Sequence, residues 1–250
     1  MQSLEEKVVV LTGAAGGIGS LVAADLRRAG ARVIAVDRVA IECDDMMIAD
    51  LSTEDGLGAL CVNLAAIDCD VLINLAGVQY FGPFADQSPA TLWRDYVVNL
   101  IAPALLTKAL LPGMLDRGEG RIVNIGSVFG AIPFAHFASY SSGKAGLKAL
   151  SEALRRELAD TGVEVTHIAP RAVKTALATE KVMQFAAATK MRMDDPAEVA
   201  RRIVTAVAKG ERDVVIGFPE SLFVRINAVV PRLVDRALAA DGRKAAALFR

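Results

Sequence analysis

Between Lys7 and Gly217 the chain alternates short apolar runs with longer stretches of helical periodicity. KVVVLT (Lys7 to Thr12), ARVIAVD (Ala31 to Asp37), MMIAD (Met46 to Asp50) and DVLINLAG (Asp70 to Gly77) are too short for helices. So are the run Ile122, Val123, Ile125 before Gly126, then GVEVTHIAP (Gly162 to Pro170) and DVVIG (Asp213 to Gly217). Bounded by Gly, Pro and Asp, these seven runs predict buried strands. Helical spacing fills the gaps. Ile18, Leu21, Val22 and Leu26 mark a first helix closed by Gly30, and Ser52 or Thr53 is placed to cap a second running through Leu64. Ser88-Pro89 supplies the N-cap and first residue of a long third helix. Leu147, Leu150, Leu154 and Leu158 carry another from about Phe137 to Gly162, and Asp194 or Asp195 with Pro196 opens a helix ending at Lys209. Strand, glycine turn, helix and strand make a βαβ unit, whose right-handed crossover predicts a parallel sheet. The Asp37 to Met46 crossover is too short for a usual helix.

Three stretches break the rhythm. Pro103 lacks the N–H that would bond the Asn99 carbonyl, so a bent helix is expected there, with that carbonyl available to a water beside Lys144. Residues 171–193, rich in Ala and Met and without firm caps, read as a mobile apolar lid. Residues 218–250 form an apolar helical extension. Its stripe of Leu222, Phe223, Ile226, Val229, Val230, Leu233, Val234 and Leu238 is flanked by Arg225, Arg232 and Arg236, and Pro231 should kink it. Packing on the subunit or a neighbour is the plain account of that stripe, with a membrane-surface or hydrophobic-substrate role as the alternative.

At 250 residues the chain fits a single domain, and no linker, repeat or low-complexity segment divides it. A mean hydropathy of +0.39 predicts additional surface buried between subunits. The net charge of −1, with no long basic run, argues against a nucleic-acid partner. Cys43, Cys61 and Cys69, with only His136 and His167, match no metal-ligand spacing. The apolar segment Tyr96 to Leu115 is interrupted by Asn99, Pro103, Lys108 and Pro112, which favours a buried helix over a transmembrane span. With the first strand starting near Lys7 and reduced thiols the default, a cytoplasmic location is expected.

The chemistry-bearing residues fall at strand ends. Gly13, Gly17 and Gly19 suit a tight turn, a backbone near phosphate and a helix packed close to its strand. Asp37, at the end of the second strand, suits a ribose 2′-hydroxyl and repels a 2′-phosphate, favouring NAD. Arg38 keeps NADP open, since its guanidinium suits a phosphate. Tyr140 and Lys144 lie four residues apart, on one helix face. A phenol titrates near ~10 in water, and a nearby ammonium would lower that value. Ser127 can hydrogen-bond the same substrate oxygen, so the three side chains suit proton transfer at an alcohol or carbonyl. His167 reads as a packed strand residue.

TGAAGGIG from Thr12, NLAG from Asn74, Asn99, Ser127 and the Tyr140 to Lys144 spacing together resemble the short-chain dehydrogenases/reductases, over about Lys7 to Gly217. The resemblance implies a Rossmann-like, doubly wound sheet of seven mostly parallel strands with helices on both faces, and a nicotinamide cofactor. It makes Tyr140 the acid/base and Ser127 the group that orients the substrate oxygen. Lys144 lowers the phenol pKa and binds the nicotinamide ribose, and Asn99 anchors a relay water. Gly13, Gly17, Ile18 and Gly19 form the phosphate loop. Asp50 and Leu51 face adenine, the backbone at Ala76 and Gly77 the adenosine ribose, and Val173 and Thr175 the carboxamide, with Asn74 and Pro170 also among the cofactor-binding residues. The resemblance also implies a homodimer or homotetramer, paired through the helices of Asn99 and Tyr140.

There are departures: Leu75 stands for the second asparagine of NNAG, Gly143 precedes Lys144, and Arg171 replaces the glycine of PGxxxT. A non-glycine at 171 resists positive φ, so the loop takes another path or Arg171 reaches into the site. Phe129, Ile132, Phe134 and His136, with Leu177, Val182, Met183 and Phe185, predict an apolar pocket for a small hydrophobic secondary alcohol or ketone. The rival readings are an NADPH-dependent 3-oxoacyl-thioester reductase, a non-catalytic NAD-binding protein, and a methyltransferase that uses the same glycine turn.

Overall fold

The computed structural model describes residues 3–43 and 45–249; Met1, Gln2, Asp44 and Arg250, the last residue of the predicted extension, lie outside the described residues. The strands are β1 (Val8–Thr12), β2 (Arg32–Asp37), β3 (Met46–Ile48), β4 (Val71–Asn74), β5 (Gly120–Ile125), β6 (Val163–Pro170) and β7 (Asp213–Ile216). They form one sheet in the order β3-β2-β1-β4-β5-β6-β7. Every pairing is parallel, so the sheet is wholly rather than mostly parallel. The order reverses between β1 and β4. At such a switch point the connections leave in opposite directions and open a crevice at the strands' carboxyl ends.

Alternate residues of the strands feed two separate cores. Val9, Leu11, Ile73 and Val123 pack with helices α1 (Gly19–Arg28) and α8 (Pro196–Lys209). Val10, Leu72 and Ile122 face the other way, onto α2 (Glu54–Ala65) and α4 (Ala102–Arg117). The expected caps form. Thr53 Oγ1 accepts from the Gly56 N–H, Ser88 Oγ from that of Thr91, and an Asp195 oxygen from that of Ala197.

The long helix expected after Ser88 runs as α3 (Pro89–Tyr96), a π turn (Val97–Ile101) and α4. The missing N–H of Pro103 is thus absorbed as a widened turn centred on Asn99. The whole run, Pro89–Arg117, is long and apolar enough to cross a membrane, but half of its most apolar window is buried within the domain. Helix α5 (Val128–Ala131) follows Ser127, and α6 (Ala138–Glu157) carries Tyr140 and Lys144. Helix α6 stops earlier than the leucine spacing predicts, with Leu158 as its C-cap. Gly162, at φ +80°, instead makes the turn into β6, where a Cβ would overlap the Gly118 carbonyl.

The predicted lid is more ordered than its composition suggests. It contains helix α7 (Glu180–Thr189), ended by Lys190 in the left-handed conformation. Pro231 does more than kink the C-terminal stripe: it separates α9 (Glu220–Val229) from α10 (Pro231–Ala247).

His167 is buried on β6, and its Nε2 lies 2.2 Å from where a Cβ on Gly126 would sit. Only glycine fits before Ser127 for that reason. Burial pushes the imidazole down to about 4, with Asp213 opposing. The unfolded chain therefore takes up the proton first, and stability held above pH ~6.5 is lost as pH falls toward 4, by on the order of 3 kcal/mol. Urea midpoints measured from pH 7 to 4 should show that slope, and His167→Gln should flatten it. Parallel declines in both proteins would assign the slope to other groups.

Candidate active site

The carboxyl ends of β1, β2, β4, β5 and β6 open into one cavity of about 480 Å3. A volume of that order is ordinary for a cofactor and small-ligand site. Its wall includes Gly13, Gly17, Ile18, Asp37, Asp50, Leu51, Ala76 and Gly77 at one end. Ser127, Tyr140, Lys144, Pro170, Val173 and Thr175 line the other. Gly19, Asn74 and Asn99 do not reach the wall, and each acts from behind it.

The glycine loop is built for close approach. Gly13 has φ +72°, and a Cβ there would meet the Ala76 backbone at 2.8 Å. At Gly19 a Cβ would lie 2.0 Å from the Gly13 carbonyl oxygen, so the start of α1 could not close against the loop. Gly17 faces the Thr175 side chain at 3.2 Å from the position of a Cβ, which brings the phosphate loop and the β6 exit together. Thr12 ties the two switch-point strands: its hydroxyl accepts from the Leu75 and Ala76 N–H groups at 3.1 Å each. Leu75, the departure from NNAG, packs against the α1 and α8 core, so the strand exit keeps its support. A dinucleotide fits this cradle, since each glycine sits where a side chain would collide with backbone or close the crevice.

The Asp37 carboxylate accepts from the N–H of Ala15 at 3.0 Å and of Val39 at 3.2 Å, so this acid is fixed to the glycine loop. Asp50 is held below the usual carboxylate range by the Ser52 hydroxyl and N–H, with Arg38 and Arg94 contributing. Arg94 also lines the cavity.

At the other end Ser127 caps α5, its Oγ accepting from the Phe129 N–H at 3.1 Å. Tyr140 stands across from it, edge-on to the Phe129 ring at 6.4 Å. Burial raises the phenol pKa, and contact with the Ser127 hydroxyl opposes the rise. Lys144 is buried and donates to the Ile125 carbonyl at 2.8 Å. Desolvation draws it down to about 8. Burial and the Ser127 hydroxyl, not the ammonium, set the direction of the phenol shift here, while the Lys144 ammonium is bonded to β5. Behind Gly77, Asn99 Nδ2 donates to the Val78 carbonyl at 2.8 Å, and its Oδ1 accepts from the Val78 N–H at 3.3 Å. A Cβ at Gly77 would sit 3.2 Å from Asn99 Oδ1 and 3.6 Å from Lys144 Nζ, so Gly77 keeps those two groups in reach of each other.

Two polar chains set this geometry from below, and apart from Asn74 of NLAG their members belong to no sequence motif. Asn74 Nδ2 donates to Asn124 Oδ1 at 2.8 Å, and Asn124 Nδ2 to Ser151 Oγ at 2.9 Å, tying β4 and β5 to α6. Ser139, beside Tyr140, donates to buried Asp95 of α3 at 2.6 Å, and Gln87 bonds both.

Arg171 takes neither extreme expected of it. It borders the cavity but is not among the described residues with positive φ, and its guanidinium turns toward Asp194 and Glu220, the latter at 3.0 Å. The stem covers Gly217, where a Cβ would meet it at 2.6 Å.

The substrate end is aromatic. Phe129, Leu177, Val182 and Phe185 line it as the sequence suggests. Ile132 instead packs under the C-terminal helices, Met183 points outward, and Phe134 and His136 sit outside the wall. Phe137, Met191 and Met193 take their places. The methionines carried a weak signal, being apolar residues next to the predicted lid's end.

A glycine cradle, an aspartate at the end of β2 and a Tyr–Ser–Lys group around one crevice have the arrangement of a nicotinamide-dependent oxidoreductase. Residues 7–185 match the short chain dehydrogenase family, and the chain belongs to it. The ketoacyl reductase HetN of Nostoc sp. is 34% identical over 94% of this chain and 89% of its own. A short-chain dehydrogenase from Streptomyces avermitilis superimposes with TM-score 0.78 at 28% identity, covering 96% of this chain and 99% of its own. A metagenomic short-chain oxidoreductase in complex with NADP does so with TM-score 0.69 at 31% identity, covering 86% and 97%.

Proposed function

We propose that this protein interconverts hydrophobic secondary alcohols and ketones with NAD as the preferred cofactor. The observation that carries the reading is the meeting of Tyr140 and Ser127 with an apolar wall of Phe129, Phe137 and Phe185 at the end of the cavity opposite Asp37. Bound nicotinamide supplies or accepts the hydride. Ser127 positions the substrate oxygen, and Tyr140 takes or returns the hydroxyl proton. Lys144 contributes positive charge beside that proton path, and Asn99 fixes the backbone at Val78 that closes the crevice. The aromatic side chains exclude water and hold the carbon skeleton. Pairing through the helices that carry Asn99 and Tyr140, in the cytoplasm, completes the proposal.

A panel of secondary alcohols and ketones, followed by nicotinamide absorbance with both cofactors, tests it. Turnover of apolar members with NAD is the expected result, and inactivity across the panel would sink the reading. Asp37 gives a sharper test of cofactor choice. Its carboxylate would bond a ribose diol and repel a 2′-phosphate, so Asp37→Ala should shift the NAD to NADP ratio of kcat/KM by roughly a hundredfold toward NADP. A wild-type enzyme already faster with NADP would reverse the assignment and make Arg38 the reader.

A second reading follows from the identity to HetN, whose name is that of a ketoacyl reductase. On this reading the ketone belongs to an acyl thioester and NADPH is the reductant. Comparing a 3-oxoacyl thioester with a simple ketone of equal length separates the two.

A further inference from the structure

Six of the sixteen large apolar side chains exposed among the described residues fall between residues 218 and 233: Phe218, Leu222, Phe223, Val229, Val230 and Leu233. They lie just before α9, along its outward side, and at the junction with the start of α10. The inward side is already satisfied. Val224, Ile226, Val234 and Leu238 pack against Val128 and Ile132, and Asn227 Nδ2 donates to the Ala131 carbonyl at 2.7 Å. The outward apolar side is therefore surplus to the fold, at 46% to 80% exposure per residue.

Charge says what covers it. Arg225, Arg232 and Arg236 are exposed and interleaved with the apolar side chains, and among the described residues none has a carboxylate partner. Of the nearby acids, Glu220 is held by Arg171 and Asp241 by Lys244, which leaves only Asp235. We infer that α9 and the start of α10 form a docking surface for an anionic lipid bilayer, with the apolar side chains entering the headgroup boundary and the three arginines meeting lipid phosphates and carboxylates. Aliphatic and aromatic groups flanked by guanidinium groups have the composition of an interfacial helix, because long basic stems bury their methylenes while the charge stays at headgroup level. A second copy of the chain fits less well. A two-fold contact would bring six guanidinium groups together against two Asp235 carboxylates.

The test is sedimentation of the full-length protein with vesicles of phosphatidylcholine, with and without about one third phosphatidylserine. Binding should require the anionic lipid and weaken steeply with added salt. The triple variant R225Q/R232Q/R236Q should partition roughly a hundredfold less. L222S/V229S/L233S should remain in the supernatant with an unchanged melting temperature. Failure of wild-type protein to pellet at low salt would overturn the inference, as would equal binding to neutral and anionic vesicles. So would a dimer that L222S/V229S/L233S dissociates and that does not pellet. The readout is lipid partition, so it stands or falls independently of the reaction assigned above.

Discussion

Tyr140→Phe should lower kcat by roughly a thousandfold while leaving cofactor affinity within about threefold of wild type, since general acid–base groups typically contribute 10² to 10⁴. The substitution removes one oxygen and keeps the ring, which packs edge-on to Phe129. The wall of the cavity is therefore preserved, and the loss is confined to proton transfer. Burial raises the phenol above its ordinary value, so in the cofactor-free protein the neutral phenol, a proton donor, predominates at pH 7. Reduction of a ketone calls for that form, and oxidation of an alcohol calls for the phenolate. Oxidation should accordingly gain on reduction as pH rises, and the variant should lose this dependence in both directions. Stopped-flow turnover with calorimetric cofactor titration separates the two readouts. A variant retaining more than about a tenth of wild-type kcat would remove Tyr140 from the chemistry and leave Ser127 as the nearest proton carrier.

Why Tyr140, Lys144 and Ser127 were legible in the sequence, and Asp95 and Asn124 were not, comes down to range. A four-residue spacing on a helix fixes direction by local geometry, and a strand that ends in Gly-Ser fixes where the hydroxyl emerges. The parallel pairing of β1 and β2 followed from the right-handed crossover in the same way. The Gln87–Asp95–Ser139 and Asn74–Asn124–Ser151 networks join residues 8 to 52 positions apart, and apart from Asn74 nothing local marks their members. Arg171 shows the other limit. The sequence marks it as a foreign residue at a glycine position, but its partners Asp194 and Glu220 lie 23 and 49 residues onward. The substitution thus replaces a flexible turn with an ion-paired strut between β6 and α9. The Asn227 bond in turn ties α9 to α5, the short helix that follows Ser127.

Lys144→Met should separate activity from stability. The side chain is buried at the cavity wall, its ammonium donates to the Ile125 carbonyl at 2.8 Å, and desolvation draws it from 10.5 to about 8. In the unfolded chain the same group titrates at its ordinary value, so between pH 8 and 10.5 the unfolded state holds more protons. Wild-type stability therefore rises with pH across that window, and below it the buried charge imposes a penalty. Methionine fills a similar volume without the charge. At pH 7 the variant should be more stable by on the order of 1 kcal/mol, the relief being partly offset by the unpaired Ile125 carbonyl. That advantage should shrink as pH climbs from 8 to 10.5. Turnover should fall by roughly a hundredfold or more, and cofactor affinity should drop with it, because the cation that faces the Gly77 edge is gone. Melting curves at pH 7, 8.5 and 10, paired with steady-state rates, give both halves of the result. A variant less stable than wild type by a similar margin at pH 7 and at pH 10 would mean that the ammonium is stabilised in the fold, and the desolvated lysine described here would have to be abandoned.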